Sequence, residues 1–248
     1  RLNKKLLTNY DTNVRPVLNH SHPVEVQLAL TIQNIIDLDE ESDVLTMYTW
    51  VSYLWTDEYL NWNESEYGGI KSIRFRDDQI WHPDIHLYNK RSYEPIDTFM
   101  IVYSSGTVSF VSPMVMKSNC AVDISNFPFD NQTCILTFGS WTYDGSKVSL
   151  KSVAPPGLHT YTMNNEFELT NATHKVNWKQ YQCCPEPYVD VTYTLELKRR
   201  TDHATHFIMS PCIICSLLIP FIFLLPHGTN DKILYGAPPD ILHNVFLI

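Results

Sequence analysis

Cys183 and Cys184 stand side by side in the run Tyr181-Gln182-Cys183-Cys184-Pro185-Glu186-Pro187-Tyr188. Adjacent cysteines can close a small, strained ring that stiffens a loop tip, can remain two thiols, or can each pair elsewhere. A stiffened tip flanked by tyrosines presents an electron-rich wall. Such a wall suits a cation that hydrogen bonds cannot satisfy, above all a quaternary ammonium. Three further segments supply aromatic rings. Trp81 to Asn89 carries Pro83-Asp84 and Tyr88, Phe138 to Gly145 carries Trp141, and Thr49 to Asp57 carries Trp50 and Trp55. Taken singly, each reads as core or interface, because aromatic rings dominate both.

Catalytic constellations are absent from the pattern. Cys212-Ile213-Ile214-Cys215 has the spacing of a redox pair but lies inside an apolar run, not at the exposed helix N-terminus that activates a thiolate. His82 and His86 are four apart on a segment that reads as loop or strand, where that spacing does not align two ligands. His203 with His206 fits no HExxH pattern. The expectation is a binding protein without enzymatic chemistry, metal or cofactor.

The elements that must position the aromatics are mostly β. Leu2, Leu6 and Tyr10 recur at helical spacing and predict a short amphipathic helix over Leu2 to Tyr10. Val24 to Ile32 and Val189 to Leu197 alternate apolar and polar residues and predict half-buried antiparallel strands. Shorter β-rich runs lie between them at Tyr48–Trp55, Ile101–Tyr103, Thr107–Val111, Ile135–Phe138 and Val148–Val153. Turn signals such as Ser104-Ser105-Gly106 and Asp144-Gly145 separate them. Many short strands at this spacing predict an immunoglobulin-like β-sandwich. From Phe207 to Pro226 the chain runs twenty residues without a charge. A helix of that length spans roughly 30 Å, about the hydrocarbon thickness of a bilayer. The predicted architecture is mainly β: an extracellular sandwich over residues 1–201 with a short N-terminal helix, then one transmembrane helix within residues 202–248, at 205–226.

The chain has 248 residues and is acidic, with 27 Asp plus Glu against 18 Lys plus Arg. No basic stripe survives that balance, which excludes nucleic acid as a partner. A negative potential favours the approach of a small cation. Glycosylation sequons at Asn19, Asn63, Asn131 and Asn171, together with the cysteines, indicate an oxidising, cell-surface compartment. No signal peptide opens the chain at Arg1, so an exported chain would be a processed or trimmed form. Lys198, Arg199 and Arg200 precede the apolar run, and the positive-inside rule alone would place them in the cytoplasm. The sequons and cysteines outweigh them, since large domains are translocated largely regardless of local charge.

In combination and in this order, these motifs resemble the α-type subunits of nicotinic acetylcholine receptors, in the Cys-loop pentameric ligand-gated ion channel family. The most specific element is the loop from Cys120 to Cys134, with thirteen residues between the cysteines and Phe127-Pro128-Phe129-Asp130 among them. Adjacent Cys183-Cys184 marks the α type. The resemblance runs over about residues 1–236 and implies disulfides Cys120–Cys134 and Cys183–Cys184. It implies a principal binding face of Tyr88, Trp141, Tyr181, Cys183, Cys184 and Tyr188. There Trp141 lies under the ammonium, the tyrosines close the box, and the cysteine tip folds over as a lid. On the complementary side of a neighbour the chain would offer Trp50 with Ile101, Ser109 and Val111. Asp84 would brace the turn bearing Trp141. Glu40 and Arg200 resemble the charge pair that links the sandwich to the first spanning helix, and Phe127, Pro128, Phe129 and Asp190 complete the expected coupling set. The implied partners are acetylcholine or a related quaternary ammonium, homologous subunits in a pentamer, and a membrane. The implied location is the postsynaptic plasma membrane.

Two departures stand out. The lysine that the family places four residues before the loop tryptophan, where it contacts the positions of Tyr181 and Asp190, is Thr137 here. After Gly236, where a pore-lining helix would begin, the chain reads Ala237-Pro238-Pro239-Asp240 onward to Ile248. Pro238-Pro239 is a poor helix interior. Two functions on one scaffold are expected from this. One is a ligand-binding subunit of an acetylcholine-gated cation channel whose sequence is incomplete. The other is a naturally shortened, non-conducting form that serves as a membrane-tethered ligand-binding module or modulates assembly.

Overall fold

A computed structural model of the chain describes residues 1–152, 154–182, 184–201, 205 and 209–218. Val153, Cys183, half of the predicted span and the whole tail after it lie outside these residues. Two sheets pack face to face. The larger runs β3 (Ser72–Phe75), β6 (Met100–Tyr103), β7 (Thr107–Asn119), β2 (Val44–Thr56), β1 (Val24–Asp39) and β9 (Val148–Ser152), with β5 (Lys90–Pro95) also paired to β7. The smaller runs β10 (Phe167–Lys179), β11 (Tyr188–Arg199), β8 (Asn131–Ser140) and β4 (Ile85–Leu87). All ladders are antiparallel except β1 with β9.

Alternation along the strands makes the core. Leu28, Leu30 and Ile32 of β1 and Val51 and Trp55 of β2 join Leu136 and Phe138 of β8 and Val191, Tyr193 and Leu195 of β11 in one buried cluster. Tyr193 bridges the layers: its ring meets Phe138 edge-on at 5.9 Å, and its hydroxyl donates to the Leu28 carbonyl at 3.4 Å. The disulfide between Cys120, just past β7, and Cys134, in β8, pins the larger sheet to the smaller. β1 outruns its predicted end because register shifts between Ile32 and Asn34 and between Ile35 and Asp37 reset the alternation. Ile35 and Leu38 thereby stay buried, which a strict period of two would not give.

The N-terminal helix is shorter than its spacing predicts. α1 covers Leu2–Leu6, burying Leu2 and Leu6, and the chain then turns through Asn9 at φ 63°. Tyr10 leaves the helical face to serve elsewhere. Its hydroxyl donates to Asp57 at 2.6 Å and accepts from the Trp81 amide at 3.0 Å. Burial, with the carboxylate beside it, pushes the Tyr10 phenol far above its ordinary value, so it stays a neutral donor. At the other end α2 covers Ser210–Leu218 and holds Cys212 and Cys215 as free thiols. Among the described residues no helix is long and apolar enough to cross a membrane.

Candidate functional site

Strand ends of the smaller sheet gather the aromatic residues. Tyr88 follows β4, and its amide donates to the Thr137 carbonyl at 2.8 Å. Its ring lies across the bare Cα of Gly139: a Cβ at that position would overlap the Tyr88 hydroxyl. That hydroxyl donates to the Ser140 carbonyl at 3.0 Å. Trp141 follows β8 and meets Tyr88 edge-on, 6.2 Å between centroids. Asp84 sets the turn between them. One carboxylate oxygen accepts from Ser140 Oγ at 2.6 Å, and the other accepts from the Thr142 amide and hydroxyl at 2.8 and 2.5 Å. With the turn so braced, the Trp141 side chain stands in water, 71% exposed.

The β10–β11 hairpin supplies the facing wall. Tyr181 and Tyr188 meet edge-on at 5.6 Å. Burial first, and then Tyr181, Asp190, Asp84 and Tyr188 nearby, push the Tyr88 phenol up to about 12. The tip is tied to the Trp141 turn, since the Gly145 amide donates to the Pro187 carbonyl at 2.8 Å. Gly145 also leaves no room for a Cβ under Trp178. Cys184 is disulfide-bonded, and its amide donates to the Tyr181 carbonyl at 3.2 Å. The structure thus brings Tyr88, Trp141, Tyr181, Cys184 and Tyr188 to one end of the smaller sheet.

The second set lies on the other sheet. Trp50 and Ser52 of β2 share the face turned away from the core, and the register places Val111 opposite Ser52, Ser109 opposite Leu54 and Ile101 opposite Ser109. Trp50, Ile101, Ser109 and Val111 therefore share one outer face of the larger sheet, whereas Trp141 follows β8 of the smaller. The Trp50 Nε1 hydrogen has no acceptor among the described residues. Asn19, Asn63, Asn131 and Asn171 are all exposed.

The expected charge pair is corrected in one member. Glu40 meets Arg199, not Arg200. Alternation along β11 carries Val191, Tyr193, Leu195 and Leu197 inward and continues to Arg199, which is buried. Arg200 falls on the opposite parity and rests on Met163. The Arg199 guanidinium donates to both Asp130 oxygens at 2.8 and 3.2 Å, to Glu166 at 2.8 Å and to Glu40 at 2.5 Å. Phe167 and Phe127 cover it, with its central carbon 4.5 and 5.1 Å from their centroids. Phe129 stays exposed while Pro128 is buried.

Burial pushes the Asp130 carboxyl up, but hydrogen bonds from Arg199 and Gln132 outweigh it and hold the group below its ordinary value. A depressed carboxylate stabilises the fold above its unfolded pKa and loses that contribution as pH falls through the folded one. The melting temperature should therefore drop on acidification from roughly pH 4 downward. In Asp130→Asn that part of the acid dependence should vanish; an unaltered acid profile would count against the assignment.

A family model described as the neurotransmitter-gated ion-channel ligand binding domain matches residues 1–201. The acetylcholine receptor subunit alpha-type acr-16 of Caenorhabditis briggsae is 43% identical over 237 residues, covering 94% of this chain and 48% of that protein. The neuronal acetylcholine receptor subunit alpha-9 of Homo sapiens is 38% identical over 250 residues, covering 99% of this chain and 52% of that protein. The chain spans about half the length of the curated relatives it matches.

Proposed function

The chain belongs to the neurotransmitter-gated ion-channel ligand-binding domain family, and from that premise we propose that it is the ligand-binding part of an acetylcholine-gated channel subunit. Its ligand is a quaternary ammonium, acetylcholine or a relative, taken in an aromatic cage at a boundary between homologous subunits of a pentamer. The domain faces the outside of the plasma membrane. The observation that carries this reading is Trp141. A large ring left 71% exposed on a braced turn, edge-on to Tyr88 and at the same end of the sheet as the Tyr181–Tyr188 pair, offers electron-rich surface. Tyr88 already gives its hydroxyl to Ser140. Such a surface is matched by a cation whose charge is buried in methyl groups. Trp50 and its neighbours lie on another face, so a second subunit would supply them to this cage.

The test is binding of radiolabelled acetylcholine to intact cells expressing the chain, with competition by tetramethylammonium and by 3,3-dimethylbutyl acetate, the neutral isostere of acetylcholine. The ammonium should compete and the isostere should not. Equal competition by both would sink the cage, because its walls read charge.

Reduction supplies a second expected result. Cys120 and Cys134 are 3% and 0% exposed, whereas Cys184 sits at a partly exposed tip. Mild dithiothreitol should therefore open the tip first and weaken acetylcholine binding without unfolding the sandwich. Binding indifferent to the reductant would mean that the tip bridge does not shape the site.

A further inference from the structure

Asp190 is a carboxylate taken out of water, 2% exposed. A buried charge of this kind persists only where paired and hydrogen-bonded. Lys179 Nζ lies 2.7 Å from one oxygen, and the other accepts from Asn177 Nδ2 at 2.8 Å and from Thr192 Oγ1 at 3.3 Å. The register explains the grouping. Asp190 faces Asn177 across the β10–β11 ladder, Tyr188 faces Lys179, and a period of two puts all four side chains on one face. On its other side Asp190 faces Gly139, which has no side chain, and Thr192 faces Thr137, a short one. The charge on Asp190 is thus met by β10 and β11 alone, inside the hairpin that carries the tip.

Lys179 occupies a decisive place in that hairpin. It is the last residue of β10, opposite Tyr188. The next residue, Gln180, reaches over the tip, its amide nitrogen donating to the Cys184 carbonyl at 2.7 Å and the Pro185 carbonyl at 3.2 Å. A shift of Lys179 therefore displaces both tyrosines of the wall.

We propose that Lys179 is a positioning residue for the aromatic site: by pairing with Asp190 within the hairpin, it fixes the pose in which Tyr181 and Tyr188 face Trp141. The inference rests on the cage reading above. It means that the hairpin carries its own counter-ion and takes none from β8, which offers Asp190 only Gly139 and Thr137.

The test uses the full chain on cells, with acetylcholine affinity measured per surface-labelled copy so that expression and affinity separate. Lys179→Met keeps the aliphatic stem and leaves Asp190 unpaired; its Kd should rise about tenfold, the order expected for one lost charged hydrogen bond. Lys179→Arg should bind like wild type. Thr137→Lys added to Lys179→Met should restore affinity, since residue 137 stands on the same face of β8, within a lysine's reach of Asp190. Hydrogen exchange of the tip amides in ligand-free protein reads the pose directly. It should quicken in Lys179→Met and return to normal in the two rescued forms. Unchanged affinity and exchange in Lys179→Met would overturn the proposal. So would losses that neither rescue repairs, which would mark a general packing role. Should wild type bind no acetylcholine, the cage reading falls, and the exchange measurement still decides whether Lys179 holds the tip.

Discussion

Arg199→Ala is expected to remove a large share of the stability of the domain. The guanidinium is the shared counter-ion of Asp130, Glu40 and Glu166, and both it and Asp130 are buried. Deleting one partner of a buried ion pair costs about 3–5 kcal/mol, because the remaining charge is left without water or partner. Whole domains hold only ~5–15 kcal/mol. Denaturant melts should show this loss, with little folded protein recovered. Arg199→Lys should recover only part of it, since an ammonium cannot present the planar fork that meets Asp130 with two nitrogens. Arg200→Ala is the informative control. Its side chain rests on Met163, so its loss should cost about 1 kcal/mol or less. Equal costs at the two positions would refute the assignment of the pair to Arg199.

Trp141→Ala should affect binding and spare the fold. The ring is mostly in solvent, and its turn is held by Asp84, Ser140 and Thr142 without it. A cation–π contact to tryptophan is worth about 2 kcal/mol or more once desolvated, or ~30-fold or more in Kd. Trp141→Phe should fall between, because the smaller ring has a weaker quadrupole. An acetylcholine Kd unchanged in Trp141→Ala, with an unchanged melt, would remove the central wall of the proposed cage.

The sequence carried the sandwich where its strands keep strict alternation. Val189 to Leu197 lies within β11 and Val24 to Ile32 within β1. It did not carry β10. That strand is an edge with Asn171, Lys175 and Asn177 on one face and His174 beside the exposed Val176 and Trp178 on the other, so hydrophobic period has nothing to report. Glu40–Arg199 was within reach, because continuing the inward parity of β11 by one step past Leu197 arrives at Arg199. The aromatic residues were legible as types in order, and the edge-on pairs Tyr88–Trp141 and Tyr181–Tyr188 are what the fold adds. Lys179 gave no signal, since its role exists only through a cross-strand register that no local pattern encodes.

Tyr88 owes its place to an atom that is missing. Its hydroxyl fills the space a side chain at position 139 would claim. Any residue larger than glycine there must evict the tyrosine or push the Trp141 turn aside. Position 139 belongs to a strand and offers a ligand nothing to touch. A variant there that loses its ligand would look like action at a distance, while the cause would be a collision between two neighbouring residues.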